Sequence, residues 1–388
     1  MLEKGDMMIK LINKKDCCGC YACYNICPKE CISMPKDSEG FSYPQIDSKK
    51  CIECNLCEKV CPIINRYVED EDKLEGYYGY INDDNIRLGS SSGGIFSAIA
   101  DYVIENKGIV IGASFDDNFA VKHSIIESKR DLWKLRGSKY VQSEINDIFK
   151  CVRNFLDDNR LVLFTGTPCQ VAGLKKYLQK KYDNLYTVDI LCHGVPSPKV
   201  WSKYINEKEK EYDSKIFKIN FRNKDEGWNN YSLKINFENG AIYKNNIKND
   251  LYLKFFLNHL SLRPSCHSCK FKSLNRASDL TIGDAWGIDK IDSSINSYNG
   301  VSLVIVHSEK GERLINNLKS DIQLNSVDID RILPIESDSR KSVKSNFNRK
   351  KFFNRLDEKT CNELEKYSKD CILIGIIKAI KRIIKGVI

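Results

Sequence analysis

The sequence predicts an α/β body built on a mixed sheet, preceded by a small α+β domain organised by cysteines. Three observations predict this. The first 62 residues hold two copies of one cysteine pattern. From about residue 77 to 335, apolar strand-like runs alternate with amphipathic helical segments, the pattern of α/β layers. One segment, YSLKINFENGAIYKN, reads as a β-hairpin turning at Asn239-Gly240, which brings antiparallel pairing into the body.

Composition narrows the function classes. A chain of 388 residues with 42% hydrophobic and 29% charged content is an ordinary globular protein with room for two or three cores, so disorder is excluded as its main state. The N-terminal MLEKGDMMIK has no apolar signal core and no run reaches membrane-spanning length, so a reducing cytoplasm is the expected location. There, 17 cysteines point to metal or redox chemistry and not to disulfides. The net charge of +9 is concentrated at one end: Asp338 to Ile388 hold 14 Lys and Arg against 6 Asp and Glu. A nucleic-acid groove across the body is therefore not expected, although basic tails are able to bind nucleic acid.

In chain order, the first element is CCGCYACYNICP, residues 17–28, and its copy is CIECNLCEKVCP, residues 51–62. Both read C-x2-C-x2-C-x3-C-P. Three closely spaced thiolates wrap one cluster, and the proline ends the turn. The repeat resembles bacterial-type ferredoxins, in which the fourth cysteine of each run crosses to the other [4Fe–4S] cluster. The resemblance implies one set of Cys17, Cys20, Cys23 and Cys61, and another of Cys51, Cys54, Cys57 and Cys27. Zinc is the alternative, but two complete runs, each followed by proline, favour iron–sulfur. Cys18 and Cys31 read as packed residues outside the ligand sets. EGFSYPQID, residues 39–47, reads as the joining hairpin. Residues 1–66 are expected to fold as an independent unit, and the acidic 67–76 as a linker.

In the body, residues 77–335, a helix starts at Ile95 after SSSGG and a strand follows at IVIGASF. Then come a helix at EINDIFKCVRNFLDD, a strand at RLVLFTG, a helix at QVAGLKKYLQKKY and a strand at LYTVDILC. After the hairpin, ASDLTIGD and VSLVIVH read as strands and EKGERLINNLK as a helix. Ser91, Ser92, Gly93 and Gly94 precede a helix N-terminus, where free N–H groups favour a phosphate; a plain Ser/Gly cap explains them equally well. In RGSKYVQS, Arg136 and Lys139 are able to pair a diphosphate and Tyr140 to stack on a flat ring. No G-x-G-x-x-G is present, so a Rossmann site is not indicated.

Taken in order, the cysteine repeat, SSSGGIFSAIA, RGSKYVQS, FTGTPCQVAGLKKYL, ILCHGVPSP, CHSCKF and DLTIGDAWG resemble the beta-subunit family of coenzyme F420-reducing hydrogenases and dehydrogenases. The resemblance covers about residues 15–310. It implies FAD in a non-Rossmann site, a [4Fe–4S] cluster beside it, and hydride exchange with F420 or another organic partner. The flavin contacts it implies are Ser91, Ser92, Gly93, Gly94, Arg136, Gly137, Ser138, Lys139 and Tyr140, with Thr167 in the turn before Cys169. A variant Gly93→Val is then expected to release FAD from an intact fold.

The strand ending near Thr165 and the strand ending at Leu191 are joined by one helix, the pattern of a right-handed βαβ unit. Parallel neighbours lie about 5 Å apart, so Cys169 and Cys192 are expected at one sheet edge, with Cys266 and Cys269 completing four thiols. A lone redox thiol at Cys169 and a zinc site are the alternatives; the resemblance favours a third [4Fe–4S] cluster. Cys151, Cys361 and Cys371 are expected to be structural. His193, in CHGVPS, is a candidate proton donor or a simple turn residue.

The expected activity is an iron–sulfur flavoprotein oxidoreductase. A non-catalytic electron-transfer subunit and a ferredoxin-dependent reductase of a sugar or lipid intermediate are the alternatives. Expected partners are a redox protein or ferredoxin and a small-molecule hydride donor or acceptor. The basic tail, 336–388, ends in GIIKAIKRIIKGVI, with Lys378, Lys381, Arg382 and Lys385 on one helical face and Ile376, Ile380, Ile383 and Val387 on another. That pattern suits either the inner membrane surface or docking on the tail's own domain.

Overall fold

The computed structural model of the chain describes residues 9, 13–66 and 74–368. Near the N-terminus, α1 (Ala22–Ile26) and α2 (Leu56–Lys59) follow equivalent cysteines of the two runs, and β1 (Ile32–Ser33) pairs antiparallel with β2 (Gln45–Ile46). Each helix is entered through a left-handed residue, Tyr21 at φ 65° and Asn55 at φ 57°. The repeated spacing therefore produces a repeated backbone shape.

The body begins with β3 (Glu75–Ile81), which starts inside the expected linker, followed by α3 (Asp84–Gly89), α4 (Ile95–Glu105), β4 (Ile109–Phe115) and β5 (Val121–Ile126). The central crossover runs α5 (Ile148–Asp157), β6 (Val162–Gly166), α6 (Pro168–Leu178), β7 (Leu185–Ile190), α7 (Pro198–Tyr212). Then come β8 (Ile216–Asn223), β9 (Ser232–Phe237), β10 (Ile242–Asn246), α8 (Leu251–Leu257), β11 (Leu280–Asp284), β12 (Ser302–Val306), α9 (Glu309–Asn317) and β13 (Ile322–Ser326). The large sheet has the order β13-β3-β12-β11-β7-β6-β4-β5. Its centre is parallel, with β4, β6, β7 and β11 as successive neighbours, and both margins are antiparallel. The mixed sheet is as expected. The hairpin at 231–245 is not part of it: β8, β9 and β10 form a separate antiparallel sheet.

Alternation along the central strands divides the core. Val110, Leu163, Val188 and Val304 face α4 and α9, while Ile109, Ile111, Val162 and Phe164 face α5 and α6. Each such side chain, fully buried, contributes roughly 1.5–3 kcal/mol. The second face is where the N-terminal region docks: Cys18, Cys20, Tyr21, Ala22 and Val60 share one apolar cluster with Phe149, Phe164 and Leu174. Helix α6 passes so close that a Cβ on Gly173 would lie 2.8 Å from Cys20 Cβ and 2.9 Å from its Sγ.

Arg263 closes the junction. It is fully buried, donating from Nε to Cys17 O (2.7 Å), from Nη1 to Gln142 Oε1 (2.9 Å) and from Nη2 to Ser42 O (3.0 Å), with its guanidinium 4.3 Å from the Tyr43 ring. The apolar side of the N-terminal region is thus core shared with the body.

Part of the expected tail is also structural. Phe352, Leu356, Cys361 and Leu364 are buried against α7, α8 and the second sheet, and Arg349 forms a bidentate pair with Glu39 (2.8 and 2.5 Å). The amphipathic segment 375–388 and Cys371 lie outside the described residues. Among the described residues, no helix is long and apolar enough to cross a membrane.

Candidate redox site

The βαβ unit β6–α6–β7 sets the site. Its strands pair in parallel, Thr165 opposite Val188 and Gly166 opposite Asp189. Cys169 therefore emerges in the first turn of α6 and Cys192 just beyond β7, at one edge of the sheet. Pro168 at the start of α6 needs no N–H there, and Gln170 Oε1 accepts from Thr167 N–H (2.9 Å), which fixes the turn.

Cys169, Cys192, Cys266 and Cys269 line one small cavity of about 40 Å³, together with Arg263 and Lys272. The donor set fits a [4Fe–4S] cluster. Four thiols converge from three segments, and backbone N–H groups of Val195 and Phe271 donate to Cys266 Sγ and Cys269 Sγ, each at 3.4 Å. Burial pushes the Cys192 thiol up to about 12, with Lys272 opposing and the Cys169 and Cys269 thiols reinforcing the shift. Bare thiols here stay protonated, and a bound cation or cluster is what would hold them as thiolates.

The same cavity holds a fifth thiol, Cys18, whose place outside the repeat marks it only as packing. It is buried and lies in side-chain contact with both Cys169 and Cys20. Cys18 thus touches one member of the body's thiol set and one member of the first N-terminal set. Burial, and then the neighbouring Cys17, Cys61 and Cys57 thiols, hold Cys23 well above its ordinary value. In the second set Cys54 is exposed, and Cys27 Sγ lies 3.3 Å from Cys31 Sγ, so Cys31 also borders a thiol group.

A larger cavity of about 530 Å³ opens on the other side of Cys192, which it shares as wall with Gly194 and Val195. Its lining gathers Ser91, Ser92, Gly94, Arg136, Gly137, Ser138, Lys139, Tyr140, Thr167 and His193. All but one of the residues expected to contact flavin therefore meet in one place. Gly93 is the exception. Its N–H donates to Ser302 Oγ (2.9 Å), and an added Cβ would lie 2.7 Å from Ser302 N and nearer still to Gly79 O. This close approach by itself demands glycine there, so Gly93→Ala is expected to lower stability by roughly 1–3 kcal/mol, read as the denaturation midpoint of flavin-free protein. An unchanged midpoint would mean that the backbone of Gly79 and Ser302 gives way without cost.

Other details also differ from expectation. The serines do not cap α4: Ser90 Oγ donates to Ile86 O, Ser92 Oγ to Val301 O, and Ser91 Oγ accepts from Ser138 N–H. Helix α4 begins at the left-handed Gly94 without a side-chain cap, so its dipole faces the cavity. Lys139 directs its ammonium at the carbonyls of Lys134, Arg136 and Gly137, and burial lowers it to about 7. Its ammonium holds the turn at the edge of the cavity. Tyr140 has one ring face against Phe256 (5.0 Å) and its hydroxyl accepting from Arg222 (3.1 Å).

Arg222 itself, missed in the sequence, is buried and bidentate to Asp284 (2.9 and 3.0 Å). Asp284 also accepts from Trp228 Nε1 (2.9 Å), and Trp228 stacks on Trp286 (4.3 Å), whose 44% exposed ring borders the cavity. The motif DLTIGDAWG contained Asp284 and Trp286; nothing local marked Arg222. Burial lowers His193 to about 4, with His259 and Lys272 adding to the effect, so its imidazole is neutral near pH 7 and is a poor proton donor there.

Comparison with known proteins gives a consistent result. Residues 76–150 match the family model "Coenzyme F420 hydrogenase/dehydrogenase, beta subunit N-term", residues 159–332 match the companion model for the C terminus of the same beta subunit, and residues 16–63 match a 4Fe-4S dicluster domain. The chain is 23% identical over 343 residues to the coenzyme F420-dependent sulfite reductase of Methanocaldococcus jannaschii, covering 82% of this chain and 49% of that protein. It thus spans about half the length of this relative. It is also 23% identical over 261 residues to the coenzyme F420 hydrogenase subunit beta of Methanococcus voltae, covering 65% of this chain and 83% of that one. A chain of the F420-reducing [NiFe] hydrogenase complex from Methanosarcina barkeri aligns with TM-score 0.47 and 18% identity, over 75% of this chain and 94% of that chain.

Proposed function

The chain belongs to the coenzyme F420 hydrogenase/dehydrogenase beta-subunit family of iron–sulfur oxidoreductases, and from that premise we propose that it passes electrons between three [4Fe–4S] clusters and one FAD, which exchanges hydride with F420 or another organic partner. One observation carries the reading: the four-thiol cavity and the 530 Å³ cavity share Cys192, Gly194 and Val195 as wall. When bound, clusters supply single electrons and flavin pairs them for hydride transfer.

The chain's own residues supply direction and environment. The exposed Cys54 marks where a redox partner protein approaches, and the inner set is buried against α6. Cys18 bridges that set to Cys169. In the larger cavity, the uncapped end of α4 and Arg136 offer positive potential to a diphosphate. The face of Trp286, held by Trp228 and Asp284, offers an apolar platform for a flat ring.

The test uses the anaerobically purified full chain. It is expected to retain about one FAD per chain and, once reduced with dithionite, to reduce F420 or another acceptor in a screen without other proteins. A chain that binds no flavin overturns the flavoprotein reading. One that binds flavin but exchanges electrons only with a second protein is an electron-transfer subunit.

A further inference from the structure

We propose that His193, His259 and Asp338 form a binding site for one divalent cation of the zinc class, with the remaining coordination position facing the large cavity. One ligand atom from each lies within 4.8 Å of the other two. The two imidazole rings are 5.0 Å apart, and His193 Nδ1 is 4.0 Å from Asp338 Oδ2. An ion with ligand bonds of about 2.0–2.1 Å would draw these atoms in by roughly 1 Å, within reach of side-chain rotation.

The three residues come from separate segments: the loop after β7, the turn after α8 and the loop near residue 338. Two sets of contacts bring them together. The ammonium of Lys272 donates to the carbonyls of Cys192 (2.6 Å), His193 (3.2 Å) and Asp338, tying two of the three backbones to one point. His259 Nδ1 lies 3.0 Å from Lys344 O. A carbonyl only accepts, so Nδ1 carries the proton and Nε2 the lone pair, the orienting contact typical of metal-ligating histidines.

Two imidazoles and one carboxylate suit zinc better than magnesium or calcium, which prefer oxygen ligands. Three protein ligands and an open position are the pattern of sites that bind a substrate oxygen, whereas closed structural sites use four. His193 and Asp338 both line the cavity, so the open position faces the space where an organic substrate would lie. The ligand class is therefore a carbonyl or carboxylate oxygen. These nitrogen and oxygen donors are distinct from the thiols of the small cavity, which face the other side of Cys192.

The experiment is equilibrium dialysis of the cluster-replete full chain against buffered free Zn²⁺, with zinc and iron both measured by elemental analysis. Wild type is expected to take up about one zinc per chain with its iron unchanged. Asp338→Ala, at an exposed position, and His259→Gln should each weaken uptake by at least the about 10- to 100-fold that loss of a second-shell partner costs at other metal sites, again with iron unchanged. Equal zinc affinity in wild type and both variants would overturn the site. So would uptake that rises only as iron is lost, which would place the zinc on cysteines.

Discussion

Replacing Cys169 with serine is expected to lower the iron content of the anaerobically purified chain from about 12 atoms to about 8, three clusters of four becoming two. Cys169 faces Cys192, Cys266 and Cys269 across a cavity of about 40 Å³, and a serine oxygen is a poor ligand for a cluster held by thiolates. The two N-terminal clusters should persist, visible as reduced-state magnetic resonance signals. Because Cys18 touches Cys169, it is placed to substitute as ligand. The double variant Cys18→Ala/Cys169→Ser removes that route. Full iron in the double variant would show that these thiols hold no cluster, and four equivalents of thiol bound to zinc would move the site from redox to structural chemistry.

Arg263→Met is expected to cost on the order of 5 kcal/mol of stability, since three buried acceptors, Cys17 O, Ser42 O and Gln142 Oε1, each lose their donor at about 1–3 kcal/mol. That is a large share of the stability of an ordinary domain. Chemical denaturation of wild type and variant measures it. The expected outcome is one weakened transition reported by both cluster colour and tryptophan fluorescence, since the N-terminal region and body share a core. Two separate transitions, with only the cluster signal affected, would mean that the halves fold independently after all.

Much of this was legible in the sequence because it was local. The cysteine repeat, the strand–helix–strand around Cys169 and the Asn239-Gly240 turn are each written in one continuous stretch of sequence. The separate sheet was not legible: β8, IFKINFRN, exposes Phe217 and pairs with β9 through register shifts, so its pattern is broken. β3 was half hidden because Glu75 and Gly76 read as the end of an acidic linker. In the site, residues near one another in sequence were found, but the packing demand on Gly93 was not. Its partners, Gly79 and Ser302, are 14 and 209 positions away, and no local pattern shows whether a glycine makes room for a ligand or for a neighbouring strand. Arg263, Arg222 and His259 were missed for the same reason: each makes contacts that only the tertiary fold creates.

Gly173 limits how this protein can be re-engineered. Ferredoxin units are attractive parts for exchange, because their cysteine spacing is self-contained and a foreign unit brings its own clusters. Here α6 has no side chain where it passes Cys20, and any larger residue would collide with the Cβ and sulfur of that cysteine. A transplanted unit with a different contour at that cysteine would leave a gap or a clash beside its own cluster. Successful chimaeras should therefore carry the α6 surface along with the cysteine runs.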